Sequence, residues 1–320
     1  MQQILLVTFP FFALVLCGYL AARSRALPLE AIPGLNGFVL FFALPCMLYR
    51  FAAGTPIGKL LDVGAFAVYL LCALAMVALT VKTTRKGPIG WNDSAFGALV
   101  AAFPNSGFMG MPLLLSLLGA VAAGPVIVAL AIDMVITSSL CIALSRLDSA
   151  GSEGARQAAR KALRGIVVNP LPWAILLGGI ASYTGFVPYE PLMRVVDMLA
   201  ESGSPTALFT IGAVLARTRM TVAASTGARP RGDVVTLMAY KLLLHPLLVY
   251  GVGSLAIRAG LALDPFALTV LVLVAALPSA SNVPMLAERY GADTGRVAQV
   301  VLLTTALAFF TFSGAVALLV

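Results

Sequence analysis

Long apolar segments follow one another along almost the whole chain, and they restrict it to a membrane fold. Of the 320 residues, 60% are hydrophobic and only 11% are charged, whereas soluble domains carry about 25% charged residues. The sequence therefore predicts an all-α membrane protein with ten transmembrane helices. A hydropathy window of about 19 residues places the ten spans at Ile4–Ala22, Leu35–Tyr49, Val63–Val81, Ser94–Leu118, Ala122–Leu144, Ile166–Tyr183, Leu192–Ala216, Val234–Ile257, Pro265–Leu286 and Val297–Leu319.

Basic residues set the expected orientation of these spans. The first span has no basic residue before it and is followed by Arg23 and Arg25, which is the reverse of a cleavable signal peptide. We therefore expect this span to be retained and the N-terminus to lie outside. Ten spans from that start leave four of the 21 lysines and arginines outside. These are Arg50, Lys59, Arg194 and Arg258. The positive-inside bias accounts for the net charge of +8, and no nucleic-acid partner is predicted.

The sequence carries no pattern for a metal, a cofactor or a disulfide framework. Four cysteines lie singly within apolar spans, and the one histidine gives too few ligands for a metal centre. The cysteines are Cys17, Cys46, Cys72 and Cys141. Intramembrane protease motifs, HExxH and a P-loop are all missing from the sequence. We therefore expect neither an enzyme nor an ATP-driven pump.

Two apolar segments are interrupted near mid-span by prolines and small polar residues. They are Phe103–Pro112 (FPNSGFMGMP) and Leu277–Met285 (LPSASNVPM). A proline lacks a backbone donor and clashes with the carbonyl one turn earlier, and backbone groups freed inside a membrane must face protein or a water-filled cavity. Such breaks in corresponding spans of two halves point to a secondary transporter with its site at the bilayer midplane. The alternative is that the prolines only kink helices for packing.

The small and polar residues of the two breaks are the candidate substrate-binding residues. Half-helices that begin at a break aim their N–H groups and positive dipole ends into the cavity, so two opposed ends attract an anion. Asn105 and Asn282 can also donate side-chain hydrogen bonds to a carboxylate. The full set is Pro104, Asn105, Ser106 and Gly107 in the first break and Pro278, Ser279, Ser281 and Asn282 in the second.

A Gly- and Ser-rich loop divides the ten spans into two groups of five. The predicted linker covers residues 146–165, between a first repeat at residues 1–145 and a second at residues 166–320. Because five is odd, the second group enters the membrane from the opposite side, and any structural repeat is inverted. Matching prolines support the repeat, including Pro45 in the second span and Pro205 in the seventh.

Taken in order, these motifs resemble the auxin efflux carrier family, in particular its compact bacterial members. The motifs are the Pro-containing first span, the LPC around Pro45, PNSGFMGMP, the aspartate of the fifth span and LPSASNVPM. The resemblance covers nearly the whole chain and implies a fold of the sodium/proton-antiporter or bile-acid-symporter type, with crossed broken helices. It implies a scaffold, often dimeric, from spans one, two, six and seven and a transport domain from spans three to five and eight to ten. Pro45 and Thr206 are then the scaffold-side candidates for substrate contact.

The same resemblance implies a multi-pass protein of the bacterial inner membrane, with both termini outside the cytoplasm. Plant members resembling it carry auxin, an aromatic acid, and bacterial members are associated with malonate and other small organic acids. The polar breaks favour a short mono- or dicarboxylate, because an indole ring wants more apolar lining. A carrier of aromatic acids is the alternative. An anion channel is a further alternative, although it needs a continuous polar stripe along several spans.

Four polar or ionisable residues lie within the fifth and eighth spans. A charge at mid-membrane costs about 2.5–3.5 kcal/mol, so Asp133 is expected to face the protein interior, either binding a proton beside Thr137 or bonded to a broken helix. Lys241 either balances Asp133 or the substrate, or extends to the interface. His245, one turn along, is expected to be packed and neutral. Carboxylates near the breaks are too few for a sodium site, so we expect proton coupling or uniport.

A further charged group lies at the outer start of the seventh span. Arg194 and Asp197 have the spacing of a surface pair on a helix. The segment Glu201–Pro205 is rich in Ser and Gly, and we expect it to be flexible. Glu201 is predicted to gate the outer mouth, with cation binding by Glu201 and the nearby hydroxyls as the alternative.

Overall fold

The computed structural model describes residues 2–56, 58, 62–85, 89–147, 167, 170–225 and 232–320, and every regular element in these residues is helical. Helices occupy all ten predicted hydrophobic segments. Their bounds are α1 Gln2–Arg23, α2 Leu29–Gly54, α3 Val63–Thr84, α4a Trp91–Ala102, α4b Ser106–Leu118, α5 Ala120–Leu144, α6 Pro170–Thr184, α7 Glu190–Ser225, α8 Asp233–Arg258, α9a Pro265–Ala276, α9b Val283–Arg289 and α10 Thr294–Leu319.

Five of these helices are long and apolar enough to cross a bilayer: α2, α3, α5, α8 and α10. Shorter apolar helices occur at Phe9–Arg23, α4b and α9a. The chain is thus a multi-pass membrane protein, while the count of ten crossings stays a prediction. The linker predicted at residues 146–165 lies outside the described residues from position 148 onward. Also outside them are Lys59, Lys86, Arg156, Arg160, Lys161, Arg164, Arg229 and Arg231.

Aspartate side chains fix the start of three helices. Asp62 accepts a hydrogen bond from Ala65 N at 2.8 Å at the start of α3, and Asp264 accepts one from Phe266 N at 3.0 Å at the start of α9a. Asp293 does the same for α10. Each carboxylate satisfies a backbone donor that has no partner within its helix.

Three prolines within helices follow a widened helical turn. A proline cannot donate to the carbonyl four residues earlier, and its ring pushes that carbonyl away. Short π-helical turns accordingly end two residues before Pro45, Pro112 and Pro246. A fourth π-helical turn, Ile132–Thr137, has no proline and holds Asp133. Such turns are frequent at functional sites.

The structure corrects the expected flexibility of Glu201–Pro205. Helix α7 runs without interruption through this segment and is longer than the predicted Leu192–Ala216. Ser202 Oγ donates to the Leu199 carbonyl at 2.7 Å, so its hydroxyl is used within the helix. Packing of α7 against both α1 and α2 stabilises the helix, and this tertiary contact outweighs the weak helix propensity of Ser and Gly.

Glycines allow α1 and α7 to approach each other closely. A methyl group on Gly18 would overlap the Phe209 carbonyl, and one on Gly212 would overlap the Val15 carbonyl. Gly18 therefore faces Phe209, and Gly212 faces Val15 and Tyr19, so that each helix contributes one glycine to the same contact. Small residues at such contacts let membrane helices pack backbone to backbone.

Candidate functional site: the paired helix breaks

The two breaks meet in space and bond to each other through their main chains. Asn105 N donates to the Pro278 carbonyl at 2.8 Å, and Ala280 N donates to the Phe103 carbonyl at 2.9 Å. These two bonds form an antiparallel bridge between Pro104 and Ser279. Each break therefore satisfies backbone groups that the other leaves open, which removes the cost of unpaired polar groups inside a membrane.

Side chains complete the bonding of the two half-helices that end at the breaks. Ser279 Oγ donates to the Val100 carbonyl in the last turn of α4a at 2.7 Å. Lys241 Nζ donates to the Ala275 carbonyl in the last turn of α9a, also at 2.7 Å. Ser279 N in turn donates to Thr304 Oγ1 at 3.2 Å, a contact from α10 that no motif in the sequence indicates. Cationic and hydroxyl donors at helix C-termini satisfy the last carbonyls.

The predicted substrate-binding residues differ in their exposure. Pro104, Ser106, Gly107, Pro278 and Ser279 are buried, and Asn105 is only 2% exposed. Ser281 and Asn282 are half-buried. Asn105 and Asn282 stand at the starts of the segment Ser106–Gly110 and of α9b, but neither side chain caps its helix.

Asp133 lies in the protein interior, as the cost of a charge in hydrocarbon predicts. Its carboxyl group is fully buried and accepts two hydrogen bonds, from Tyr69 Oη at 2.8 Å and from Thr137 Oγ1 at 3.1 Å. Tyr69, on α3, was not identified from the sequence because nothing in an apolar helix marks one tyrosine as the partner of an acid 64 residues away.

Lys241 and His245 form a second buried group on α8. The Lys241 ammonium contacts His245 Nδ1 at 3.2 Å, and both side chains are completely buried. The alternative that Lys241 extends to the membrane interface is therefore wrong, because the Ala275 carbonyl holds the ammonium inside. Lys241 and Asp133 both lie in the described part of the chain, and no ion-pair contact of 4.0 Å or less joins the Lys241 ammonium to the Asp133 carboxylate. The His245 ring packs 6.0 Å from the Tyr69 ring, which places the two groups side by side.

Comparison with known sequences identifies the family. Residues 4–316 match the family described as Membrane transport protein. The chain belongs to this family. The predicted resemblance to the auxin efflux carriers is thereby confirmed.

Three relatives place the membrane transport protein among transporters. A Rhizobium meliloti protein named "Putative malonate transporter" is 30% identical over 319 residues, covering 98% of this chain and 95% of the relative. "Uncharacterized transporter YfdV" of Escherichia coli K12 is 24% identical over 302 residues, which cover 89% of this chain and 88% of the relative. An "Uncharacterized transporter" of Methanothermobacter thermautotrophicus is 25% identical over 302 residues, which cover 92% of this chain and 91% of the relative. Family and relatives are transporters, which points away from an enzyme.

Pro45 and Thr206 lie on neighbouring helices of this membrane transport protein. Both residues are half-buried. Helix α7, which carries Thr206, packs against α2 and also against the segment Ser106–Gly110 of the first break. The structure thus brings the helix of Thr206 next to the first break, with the helix of Pro45 packed against the helix of Thr206.

The charged group at the start of α7 is paired differently from the prediction. Arg194 bonds to Glu190 at 2.6 Å rather than to Asp197. Asp197 instead lies 3.5 Å from Arg50 on α2, and Glu201 lies 3.7 Å from the same guanidinium. The spacing of Arg194 and Asp197 is compatible with a pair, but the Arg50 cation 147 residues away competes for the carboxylate.

A buried arginine that the sequence did not single out joins three helices. Arg296 on α10 bonds to the Asp233 carboxylate on α8 at 2.5 Å and to the Asp93 carbonyl on α4a at 2.6 Å. Gly97 leaves the space for this guanidinium, since a methyl group there would lie 2.8 Å from Arg296 Nη2. Asp93 also accepts from Asp293 N at 2.7 Å. The ends of α4a, α8 and α10 are therefore held together by one cation.

Proposed function

We propose that the protein is a secondary transporter that moves a small organic anion, such as malonate, by alternating access around the two breaks. The observation that carries this proposal is the backbone pairing of the breaks at Pro104 and Ser279. Because main-chain atoms hold the breaks together, the side chains of Asn105 and Asn282 stay available for a ligand. Broken helices that meet within the membrane are the usual location of a substrate site in secondary transporters.

The proposed architecture is ten membrane spans arranged as a five-plus-five inverted repeat with α4 and α9 crossing at their breaks. The first repeat covers residues 1–145 and the second residues 166–320. We divide these spans into a scaffold of α1, α2, α6 and α7 and a transport domain of α3–α5 and α8–α10. Helix packing supports this division. Within the scaffold, α1 packs on α7 and α6 on α2, and within the transport domain, α3 packs on α4a and α8 on α9a. We propose a homodimer in a bacterial inner membrane, with both termini outside the cytoplasm.

The proposed substrate site uses amides and helix ends rather than a free cation. Asn105 and Asn282 would donate to the carboxylates, with Ser281, Ser106 and Gly107 beside them. The positive ends of the half-helices beginning at Ser106 and Val283 supply the electrostatic attraction. Lys241 is an unsuitable substrate ligand in this conformation because its ammonium already binds the Ala275 carbonyl. The relative named for malonate supports a short dicarboxylate.

Proton coupling is proposed to involve Asp133. Its carboxyl group is buried and contacts Tyr69 and Thr137, and Lys241 and His245 lie in the neighbouring group. A buried ionisable residue inside a membrane protein is a candidate for proton binding. Glu201 is proposed to act at the outer mouth, where its contact with Arg50 can open and close without disturbing α7.

Uptake of radiolabelled malonate into proteoliposomes tests the function. We expect saturable uptake that short carboxylates compete and indole-3-acetate competes poorly. The variant Ser116→Ala, on the exposed face of α4b, serves as the control for substitutions at the breaks. Saturable uptake of indole-3-acetate without malonate uptake would replace the substrate by an aromatic acid. Absence of uptake of any carboxylate by correctly folded protein would overturn the proposal.

A further inference from the structure

A cavity away from the breaks lies between α1 and α7. It has a volume of about 320 Å³ and is lined by Tyr19, Arg23, Ala216, Arg219 and Met220. Arg219 Nη1 donates to the Tyr19 hydroxyl at 2.9 Å, and Arg23 Nη1 donates to the same oxygen at 3.5 Å. None of these residues belongs to the breaks or to the Asp133 group.

Two positive charges meet in this cavity, and the part of the chain that the structure describes gives them no negative partner. Nitrogens that reach one oxygen at 2.9 and 3.5 Å lie no more than 6.4 Å apart, a separation at which like charges repel. Among the described residues, no carboxylate lies within 4.0 Å of either guanidinium. The hydroxyl of Tyr19 accepts hydrogen bonds but carries no compensating charge. The arrangement suits an anion with several oxygens, and arginine binds phosphate in this way.

The close approach of the two helices fixes the position of these arginines. Gly18 and Gly212 let α1 and α7 pack backbone to backbone. Arg23, in the last turn of α1, is thereby brought beside Arg219 on α7. Both arginines thus belong to helices that contact each other directly, and neither lies in a loop.

The surface of α1 next to the cavity is apolar and exposed. Leu16 and Leu20 are 56% and 52% exposed, and with Arg23 they have the spacing of one helical face. Leu16 lies about 10 Å from Arg23 along the helix axis. An acyl chain that runs from the arginines toward the bilayer centre would therefore rest on the two leucines.

We propose that this cavity binds the phosphate of an anionic phospholipid, with its acyl chain on the face of Leu16 and Leu20. The predicted orientation puts Arg23 and Arg219 at the cytoplasmic surface, where anionic headgroups occupy basic pockets between membrane helices. The site does not depend on the transport function. Failure of malonate uptake and failure of lipid binding are therefore separate results.

Lipid binding is measured with the purified full-length protein, stripped of lipid in a neutral detergent. Phosphatidylglycerol, phosphatidylcholine or inorganic phosphate is added, the melting temperature is recorded, and bound lipid is counted by native mass spectrometry. We expect phosphatidylglycerol to raise the melting temperature by several degrees, because a ligand of the folded state stabilises it, and phosphatidylcholine to have less effect. Arg23→Gln and Arg219→Gln should each weaken phosphatidylglycerol binding at least tenfold.

Arg258→Gln is the matched control, since Arg258 is a single arginine that lines a different cavity. It should bind phosphatidylglycerol as the wild type does. Equal binding by all four proteins would overturn the proposed site. Full stabilisation by inorganic phosphate, lost in the same two variants, would show a soluble phosphate as the ligand and overturn the lipid assignment. Arg23→Gln, near the exposed end of α1, gives the same comparison if Arg219→Gln does not fold.

Discussion

Replacing Arg296 by glutamine should destabilise the protein by several kcal/mol, because it removes one partner of a buried ion pair. Arg296 is the cation that joins α4a, α8 and α10, and its side chain is 2% exposed. Breaking a buried ion pair from one side costs about 3–5 kcal/mol. Water reaches Asp233, which is 20% exposed, so the expected loss is near the lower limit, about 3 kcal/mol. This corresponds to a factor of roughly 150 in the folding equilibrium.

The loss is measured by reversible unfolding of the purified protein in mixed micelles during a titration with sodium dodecyl sulfate. Arg289→Gln is the control, because Arg289 is exposed at the end of α9b, and its change should stay within about 0.5 kcal/mol. Asp233→Asn and the double variant complete a cycle that isolates the pair. Equal stability of Arg296→Gln and Arg289→Gln would refute the view that this cation holds the three helices together.

Three further predictions concern the site and the scaffold. Asn105→Ala and Asn282→Ala should each weaken malonate binding about 10- to 100-fold, the worth of a hydrogen bond to a charged group, measured by calorimetry against Ser116→Ala; unchanged affinity in both would remove them from the site. Asp133→Asn should abolish accumulation driven by a pH gradient while leaving substrate exchange, measured in proteoliposomes; intact accumulation would exclude Asp133 as the coupling group. Gly212→Ala should destabilise the folded protein by about 1–3 kcal/mol, since its methyl group would overlap the Val15 carbonyl and lie 2.7 Å from Tyr19 N. The control Gly251→Ala, whose methyl group would meet no atom within 4 Å, should leave the stability unchanged. Equal melting temperatures of the two variants would contradict the close packing of α1 and α7.

Local patterns in the sequence predict local features of this fold well. The structure has helices at all ten segments that hydropathy predicts, and it has helix breaks at both segments that the prolines mark. The interior position of Asp133 follows from the energetic cost of a charge in hydrocarbon. These predictions succeed because each depends on a single segment and its solvent.

Partners from distant segments are beyond the reach of the same reasoning. Ser279 bonds to a carbonyl 179 residues away, and Arg296 to a carboxylate 63 residues away. The periodicity of one helix says which face is apolar but not which residue another helix brings to it. Arg194 illustrates the limit. Its helical spacing to Asp197 is compatible with an ion pair, but Asp197 contacts Arg50 from another helix instead. The candidate site is therefore predicted as a set of residues, while its bonding needs the structure.

The main-chain bridge between Pro104 and Ser279 also affects how such a protein can evolve. Its two hydrogen bonds join N–H and C=O groups that almost every amino acid possesses. A substitution at Asn105, Ser281 or Asn282 can therefore alter the chemistry offered to a ligand without undoing the junction that brings the segments together. Single amino-acid substitutions can thus change the ligand selectivity while the backbone geometry of the junction stays the same.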